Sequence, residues 1–116
     1  MKIASSEHPE QIDVKGRRDV TPLHAAATSG HADILALLLK HGSDIEARDM
    51  LSQTSLYRAS MGGKLKVGQC LLDHGADINP RFHHNLTPLC AAVLNGYVEF
   101  TRMLLNMGQR WMSGLT

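Results

Sequence analysis

A six-residue block recurs three times in this chain at a constant step of 33 residues. Its copies are Thr21-Pro22-Leu23-His24-Ala25-Ala26, Thr54-Ser55-Leu56-Tyr57-Arg58-Ala59 and Thr87-Pro88-Leu89-Cys90-Ala91-Ala92. Two columns of glycine keep the same step: Gly30, Gly63 and Gly96, and Gly42, Gly75 and Gly108. A fixed period of this length indicates one structural unit stacked on copies of itself, each burying its apolar face against its neighbours.

Each unit carries the signals for two short helices. The threonine of each block can cap a helix by accepting a backbone N–H bond, and proline in the next position has a preset φ. First helices are therefore predicted to begin near Pro22, Ser55 and Pro88 and to end at the first glycine column. Second helices should follow at once, with apolar residues at i, i+3 and i+4. This predicted core stripe consists of Ile34, Leu37 and Leu38; Val67, Cys70 and Leu71; and Phe100, Met103 and Leu104.

Short polar segments with one apolar anchor follow Gly42 and Gly75: Asp44-Ile45-Glu46 and Asp77-Ile78-Asn79. They predict tight turns that lead into extended, β-hairpin-like fingers. With these elements the chain resembles an ankyrin-repeat protein. The Thr-Pro-Leu-His-x-Ala motif is complete in the first repeat, and the Gly-His-x-x-Ile pattern that follows continues from Gly30 to Ile45.

The resemblance covers roughly residues 12–108 and implies an all-α solenoid of helix-turn-helix pairs joined by β-hairpin-like loops. In the family, a histidine at the position of His24 ties neighbouring loops together. The second repeat departs from the pattern at Ser55, Tyr57 and Gly68, and the third has Cys90 in place of histidine. Because glycine inside a helix costs about 1 kcal/mol, Gly68→Ala is expected to stabilise the chain by about 0.5–1 kcal/mol if no neighbour lies close.

One domain covering residues 1–116 is predicted, in five parts. Residues 1–15 are a partial preceding repeat or leader, 16–48, 49–81 and 82–108 are the three repeats, and 109–116 are an irregular tail. Terminal repeats normally have polar outer faces, whereas Phe100, Met103 and Met107 have no recognisable cap. We therefore expect a fragment, a truncated gene product, or a piece whose partner covers that end. For the isolated chain we expect concentration-dependent association or a low melting point.

Composition argues against several classes of protein. The net charge of +1 gives no strong attraction to nucleic acid or membranes, and no apolar run approaches the ~20 residues of a membrane helix. Residues 1–9 lack the apolar core of a signal peptide. Cytoplasmic or nuclear localisation is expected, with Cys70 and Cys90 as small apolar groups rather than a disulfide.

No pattern of catalytic, cofactor-binding or metal-binding residues emerges. His83-His84 has no Cys, Asp or Glu at ligand spacing, and Gly62-Gly63-Lys64 lacks the rest of a phosphate-binding loop. His24 has no nucleophile or carboxylate partner in the sequence pattern. The prediction is a protein without enzymatic activity, cofactor or metal, and enzyme ranks third among the function classes.

Binding to another protein is the function that the resemblance implies, through the hairpin fingers and the concave face. The predicted contact residues precede each threonine or the first glycine column: Lys15, Arg17, Arg18, Val20, Arg48, Met50, Leu51, Gln53, Met61, Arg81, His83, His84 and Leu86. Lys15, Arg48 and Arg81 are spaced by 33 and form a basic ladder, which favours an acidic partner segment. The alternative is that these are ordinary solvated charges.

Two functions therefore stay open: a non-catalytic protein-binding module, and a regulatory or localising segment of a larger multidomain signalling protein. The resemblance also implies one possible modification, because an asparagine in the turn after the second helix is hydroxylated in some ankyrin proteins. Asn79 occupies that position. The alternative role for Asn79 is to hydrogen-bond its own turn.

Overall fold

The computed structural model describes residues 12–80 and 86–113, and the side chains up to residue 108. These residues contain six α-helices in three pairs: α1 (Pro22–Ser29), α2 (Ala32–Lys40), α3 (Ser55–Gly62), α4 (Leu65–Asp73), α5 (Pro88–Leu94) and α6 (Val98–Ser113). No strand is present in this part of the chain. The prediction of an all-α repeat solenoid is confirmed.

The first helix of each pair begins directly after the repeated threonine. Its hydroxyl oxygen accepts the backbone N–H three residues later, at 3.2–3.3 Å, in all three repeats: Thr21 from His24, Thr54 from Tyr57 and Thr87 from Cys90. The predicted starts of α1, α3 and α5 are confirmed because this cap depends only on residues close in sequence.

Left-handed glycines end the first helices. Gly30 has φ of 78° and Gly63 has φ of 65°, a backbone conformation that side chains with a Cβ rarely adopt. In the third repeat Asn95 caps α5, and Gly96, with φ of 74°, follows it. The predicted ends hold to within one residue.

The helices form two layers, with α1, α3 and α5 packed side by side in one and α2, α4 and α6 in the other. A continuous core lies between the layers and between successive repeats. Its largest fully buried apolar side chains are Leu23, Leu35, Leu56, Val67, Leu71 and Phe100. Each repeat therefore depends on its neighbours for the burial of its apolar face.

The predicted core stripe is wrong in the first repeat. Ile34 and Leu37 are 50% and 55% exposed, and Leu35 is buried instead. At the position equivalent to Ile34, Val67 and Phe100 are each 1% exposed. This column of the register faces the preceding repeat, and among the described residues the first repeat has no helix pair before it.

The prediction of an uncovered Phe100 and Met103 is wrong for the same reason. Both side chains are buried, and both pack onto α4 at Gly68, on the side of α6 that faces the second repeat. Met107 is partly buried against the same core. Among the described residues of the third repeat, the exposed large apolar side chains are instead those of Val93, Leu94, Val98 and Leu105.

Helix α6 is longer than its counterparts and includes residues 109–113, which the sequence predicted as irregular. Gly42 and Gly75 have φ of 96° and 89° and follow the ends of α2 and α4. Gly108 lies inside α6 and is not left-handed. After it, Arg110 replaces the turn-forming aspartate at the positions of Asp44 and Asp77, so the signal that ends the other helices is missing.

Candidate partner-binding surface

Two fingers project from the described helix pairs, finger 1 (residues 16–20) and finger 2 (residues 49–53). Each is closed by a backbone hydrogen bond between equivalent positions: Gly16 N–H to Val20 O at 2.9 Å, and Asp49 N–H to Gln53 O at 3.1 Å. Met50 N–H donates to Arg18 O at 2.8 Å and joins the two tips. The fingers are hairpin-like, as predicted, and lie side by side.

The carboxylate of Asp49 holds finger 2 in shape. Its Oδ1 accepts the N–H groups of Leu51 and Gln53, each at 2.9 Å. Its Oδ2 accepts Nε and Nη2 of Arg58, at 3.1 and 2.7 Å. Burial alone would raise the pKa of Asp49, but the hydrogen bonds from Gln53, Arg58 and Leu51 outweigh it and lower that pKa.

Arg58 connects this finger to the helices. Besides its two bonds to Asp49, its Nη1 donates to the hydroxyl of Thr28, at the end of α1, at 2.9 Å. The guanidinium therefore links finger 2, α3 and α1. This pair has no periodic signal in the sequence because neither residue repeats: Gly16 stands at the position of Asp49 in the first repeat, and Ala25 at that of Arg58.

His24 ties α1 to the far side of finger 2. Its Nε2 lies 3.0 Å from both Ala47 O and Gln53 O, and its Nδ1 lies 3.0 Å from Thr21 N. Carbonyl oxygens only accept, so Nε2 carries the proton and Nδ1 accepts from Thr21. Burial lowers the pKa of the ring, which is held neutral. The loop-tying role that the resemblance implied for His24 is confirmed.

The predicted contact residues fall into three groups. Exposed side chains belong to Lys15, Arg17, Arg18, Met50, Leu51 and Met61. Partly buried side chains belong to Val20, Arg48, Gln53 and Leu86. The predicted contacts Arg81, His83 and His84 lie outside the described residues.

Two of the predicted contact residues with exposed apolar side chains lie next to each other at the tip of finger 2. Met50 is 66% exposed and Leu51 is 62% exposed, although the backbone between Asp49 and Gln53 is fixed by hydrogen bonds. Finger 1 places Arg17 and Arg18 beside this tip, together with one exposed acid, Asp19. We define the docking tip as Arg17, Arg18, Met50 and Leu51.

Of the basic ladder, only two members lie in the described part of the chain. Lys15 is exposed. Arg48 is partly buried, and its Nη1 donates to Ser52 O at 3.2 Å, so this side chain also supports finger 2. The ladder stays a prediction because Arg81 lies outside the described residues.

Asn79 lies in the turn after α4 and is exposed. Its N–H donates to Asp77 Oδ1 at 3.0 Å, closing the turn. At the equivalent position of the preceding repeat, Glu46 Oε2 accepts Asp77 N–H at 2.6 Å and so joins two repeats. Hydroxylation of Asn79 stays a prediction.

Several further features bear on chemistry. Among the described residues, no three His, Cys, Asp or Glu side chains are grouped to hold a metal ion. No helix in that part of the chain is long and apolar enough to span a membrane.

Lys64 follows the pair Gly62-Gly63, and its aliphatic side chain packs over Gly30. A Cβ on Gly30 would lie 3.1 Å from Lys64 Cδ.

Comparison with known proteins agrees with this architecture. The family model described as Ankyrin repeat matches residues 18–50, and that described as Ankyrin repeats (3 copies) matches residues 48–113, more than half of the chain. The chain belongs to the ankyrin-repeat family, whose members are generally non-catalytic protein–protein interaction modules.

One relative is the Drosophila melanogaster protein named Ankyrin repeat and KH domain-containing protein mask. It is 51% identical over 37 residues, which are 32% of this chain and 1% of that protein. The matched part of the chain thus spans about 1% of the length of this relative.

Proposed function

We propose that this chain is a non-catalytic module that binds an acidic and apolar segment of another protein through the docking tip. The observation that carries the proposal is the pair of large apolar side chains, Met50 and Leu51, exposed on a finger whose backbone is held by the buried Asp49. Exposed apolar groups beside arginine are typical of surfaces that bind proteins.

The fixed backbone of finger 2 should increase its affinity for the partner. A loop that is ordered before binding loses less conformational entropy when the partner arrives. Asp49 and Arg58 supply this order, and their side chains are only 1% and 19% exposed. A few apolar anchors that lose their contact with water usually dominate the binding energy of an interface, and Met50 and Leu51 are the candidates for that role.

Charge supports the acidic character of the partner. Arg17 and Arg18 are exposed on finger 1, next to the apolar tip of finger 2, and Lys15 precedes them. Guanidinium groups form paired hydrogen bonds with carboxylates, and their field speeds the encounter with an acidic segment at low salt. The single negative charge of Asp19 reduces this positive potential.

Selection from a random peptide display library tests the proposal directly. We expect enriched peptides that combine Asp or Glu with apolar residues, and loss of binding of a synthetic consensus peptide by the Arg17→Glu/Arg18→Glu variant. Lys40→Glu/Lys66→Glu is the matched control, because it changes the charge equally at exposed helix positions away from the fingers. Equal loss of binding by both variants would contradict a defined docking tip.

The second candidate function is that of a regulatory or localising segment of a larger multidomain signalling protein. It is favoured by the small share of the fly relative that the matched region represents. Sequencing the flanking coding region tests it: an open reading frame that continues the 33-residue register would support it, and an in-frame stop directly after Thr116 together with a start at Met1 would contradict it.

A further inference from the structure

Each repeat in the stack presents two different faces to its neighbours. The leading face, toward the preceding repeat, carries side chains such as Lys64 in the second repeat and Tyr97 and Phe100 in the third. The receiving face of the preceding repeat carries glycines beneath them. A Cβ on Gly30 would lie 3.1 Å from Lys64 Cδ, and a Cβ on Gly63 would lie 2.8 Å from Tyr97 Cδ1. This chain therefore forms the same kind of junction twice.

Both kinds of face also occur uncovered. The leading face of the first repeat exposes Ile34 and Leu37. On the receiving face of the third repeat, Val93 and Leu105 are 58% and 49% exposed, whereas their equivalents in the second repeat, Ser60 and Leu72, are 0% and 8% exposed. A Cβ at Gly96 would meet nothing within 4 Å. Within the described residues, one apolar face is thus exposed at each end of the stack.

Charge favours pairing of these two faces with each other. Across the junction between α4 and α6, Gln69 and Glu99 line one shared groove. By the 33-residue register, the corresponding positions at a junction between two copies would hold Arg102 of one copy and Asp33 of the next. Both side chains are exposed and they carry opposite charges.

We propose that a second copy of this chain docks head to tail, with its leading face on the receiving face of the first. Such an interface is heterologous, so it leaves a free face on each outer copy and continues into longer chains. Helix α6 runs on to Ser113, beyond the position equivalent to Asp73. The docking tip lies on the fingers, so this proposal does not depend on the proposed function.

Sedimentation velocity over a range of concentrations tests the proposal. The weight-average mass should rise continuously with concentration and without a plateau at the dimer. Ile34→Asp removes the leading face and Leu105→Asp the receiving face, and both residues are half exposed, so each variant should keep the fold. Each variant alone should be monomeric, and a mixture of the two should give a one-to-one dimer and nothing larger.

A charge exchange provides a second test with a different readout. Asp33→Arg and Arg102→Asp should each weaken the association, and the double variant should restore it. Met50→Asp, in finger 2, is the control and should leave the mass distribution unchanged. A monomer at every concentration would overturn the proposal. Loss of association with Leu105→Asp but not with Ile34→Asp would also overturn it, since it would indicate a symmetric dimer.

Discussion

The ring of Phe100 lies directly over Gly68. A Cβ built on Gly68 would be 2.6 Å from Cζ of Phe100 and 2.8 Å from Cε of Met103. Gly68 lies inside α4, where glycine makes helix formation about 1 kcal/mol less favourable than alanine would. Its absent side chain is what allows α6 to approach α4 and bury Phe100.

Gly68→Ala should therefore destabilise the fold, by about 1–3 kcal/mol, because the added methyl group overpacks the junction. This reverses the expectation from helix propensity, which required that no neighbour lie close. Gly108→Ala is the matched control: Gly108 lies inside α6 and its Cβ would meet nothing within 4 Å, so we expect a gain of about 0.5–1 kcal/mol. Urea unfolding of both variants checks the pair, and equal effects would contradict the close approach.

Arg58→Ala should destabilise the chain by about 2–3 kcal/mol, because it leaves the buried carboxylate of Asp49 without its cationic partner. The same substitution removes the bond to Thr28. Glu99→Ala is the control, since the Arg102–Glu99 pair is exposed and 4.0 Å long, and its loss should change stability by at most about 1 kcal/mol. Denaturant unfolding of a double-mutant cycle with Asp49→Asn should give a coupling energy clearly above zero.

The features that the sequence predicted are those that depend on nearby residues and recur. The threonine caps and the left-handed Gly30 and Gly63 need only a few residues of context, and each recurs after 33 residues. The Asp49–Arg58 pair occurs in the second repeat alone, so periodicity could not identify it.

The errors concern the ends of the stack. Periodicity shows that Ile34 and Phe100 are equivalent, but burial depends on what lies against them. Both residues face the preceding repeat. Ile34, in the first repeat, is therefore exposed, and Phe100, in the third, is covered. A helical pattern has no information about that direction until the handedness and order of stacking are known. The position of the finger tip follows from the 33-residue register, whereas the hydrogen bond from Arg48 to Ser52 O has no signal in the sequence.

Stability should fall as the pH drops, in two separate ranges. The pKa of His24 is lowered by burial, so the unfolded chain binds more protons below its ordinary value of 6.5 and stability decreases there. The hydrogen bonds to Asp49 lower its pKa despite the opposing effect of burial. The carboxylate therefore stabilises the fold above pH 3.8, and this stabilisation is lost as the pH falls below that value. Urea midpoints measured across these ranges check both signs. His31→Gln, at an exposed site, should not remove the upper step, whereas a flat profile between pH 7 and pH 5 would contradict the burial of a neutral His24.

Asn79 should accept one oxygen atom when the chain is incubated with an asparaginyl hydroxylase and its cosubstrates, because the residue is exposed in a turn rather than buried. Peptide mass analysis locates the modification. Asn95 is the internal control, since its side-chain nitrogen already donates to Ala91 O within the helix at 2.8 Å. An unmodified Asn79 under conditions that modify a known substrate ends the hypothesis.

Ser52 has φ of 64°, a left-handed conformation in which a residue with a Cβ loses roughly 1–2 kcal/mol. Ser52→Gly removes that strain but adds freedom to the unfolded chain, so the net gain should be about 0.5 kcal/mol. Ser52→Val should destabilise by more than that, since branching at Cβ aggravates the strain. Asp19, with φ of 59° at the equivalent position of finger 1, allows an independent repeat as Asp19→Gly. Thermal unfolding of the three variants checks the order of stabilities. A Ser52→Val variant as stable as the native chain would mean that finger 2 changes its backbone conformation readily, and the preorganised tip formed by Met50 and Leu51 would lose its basis.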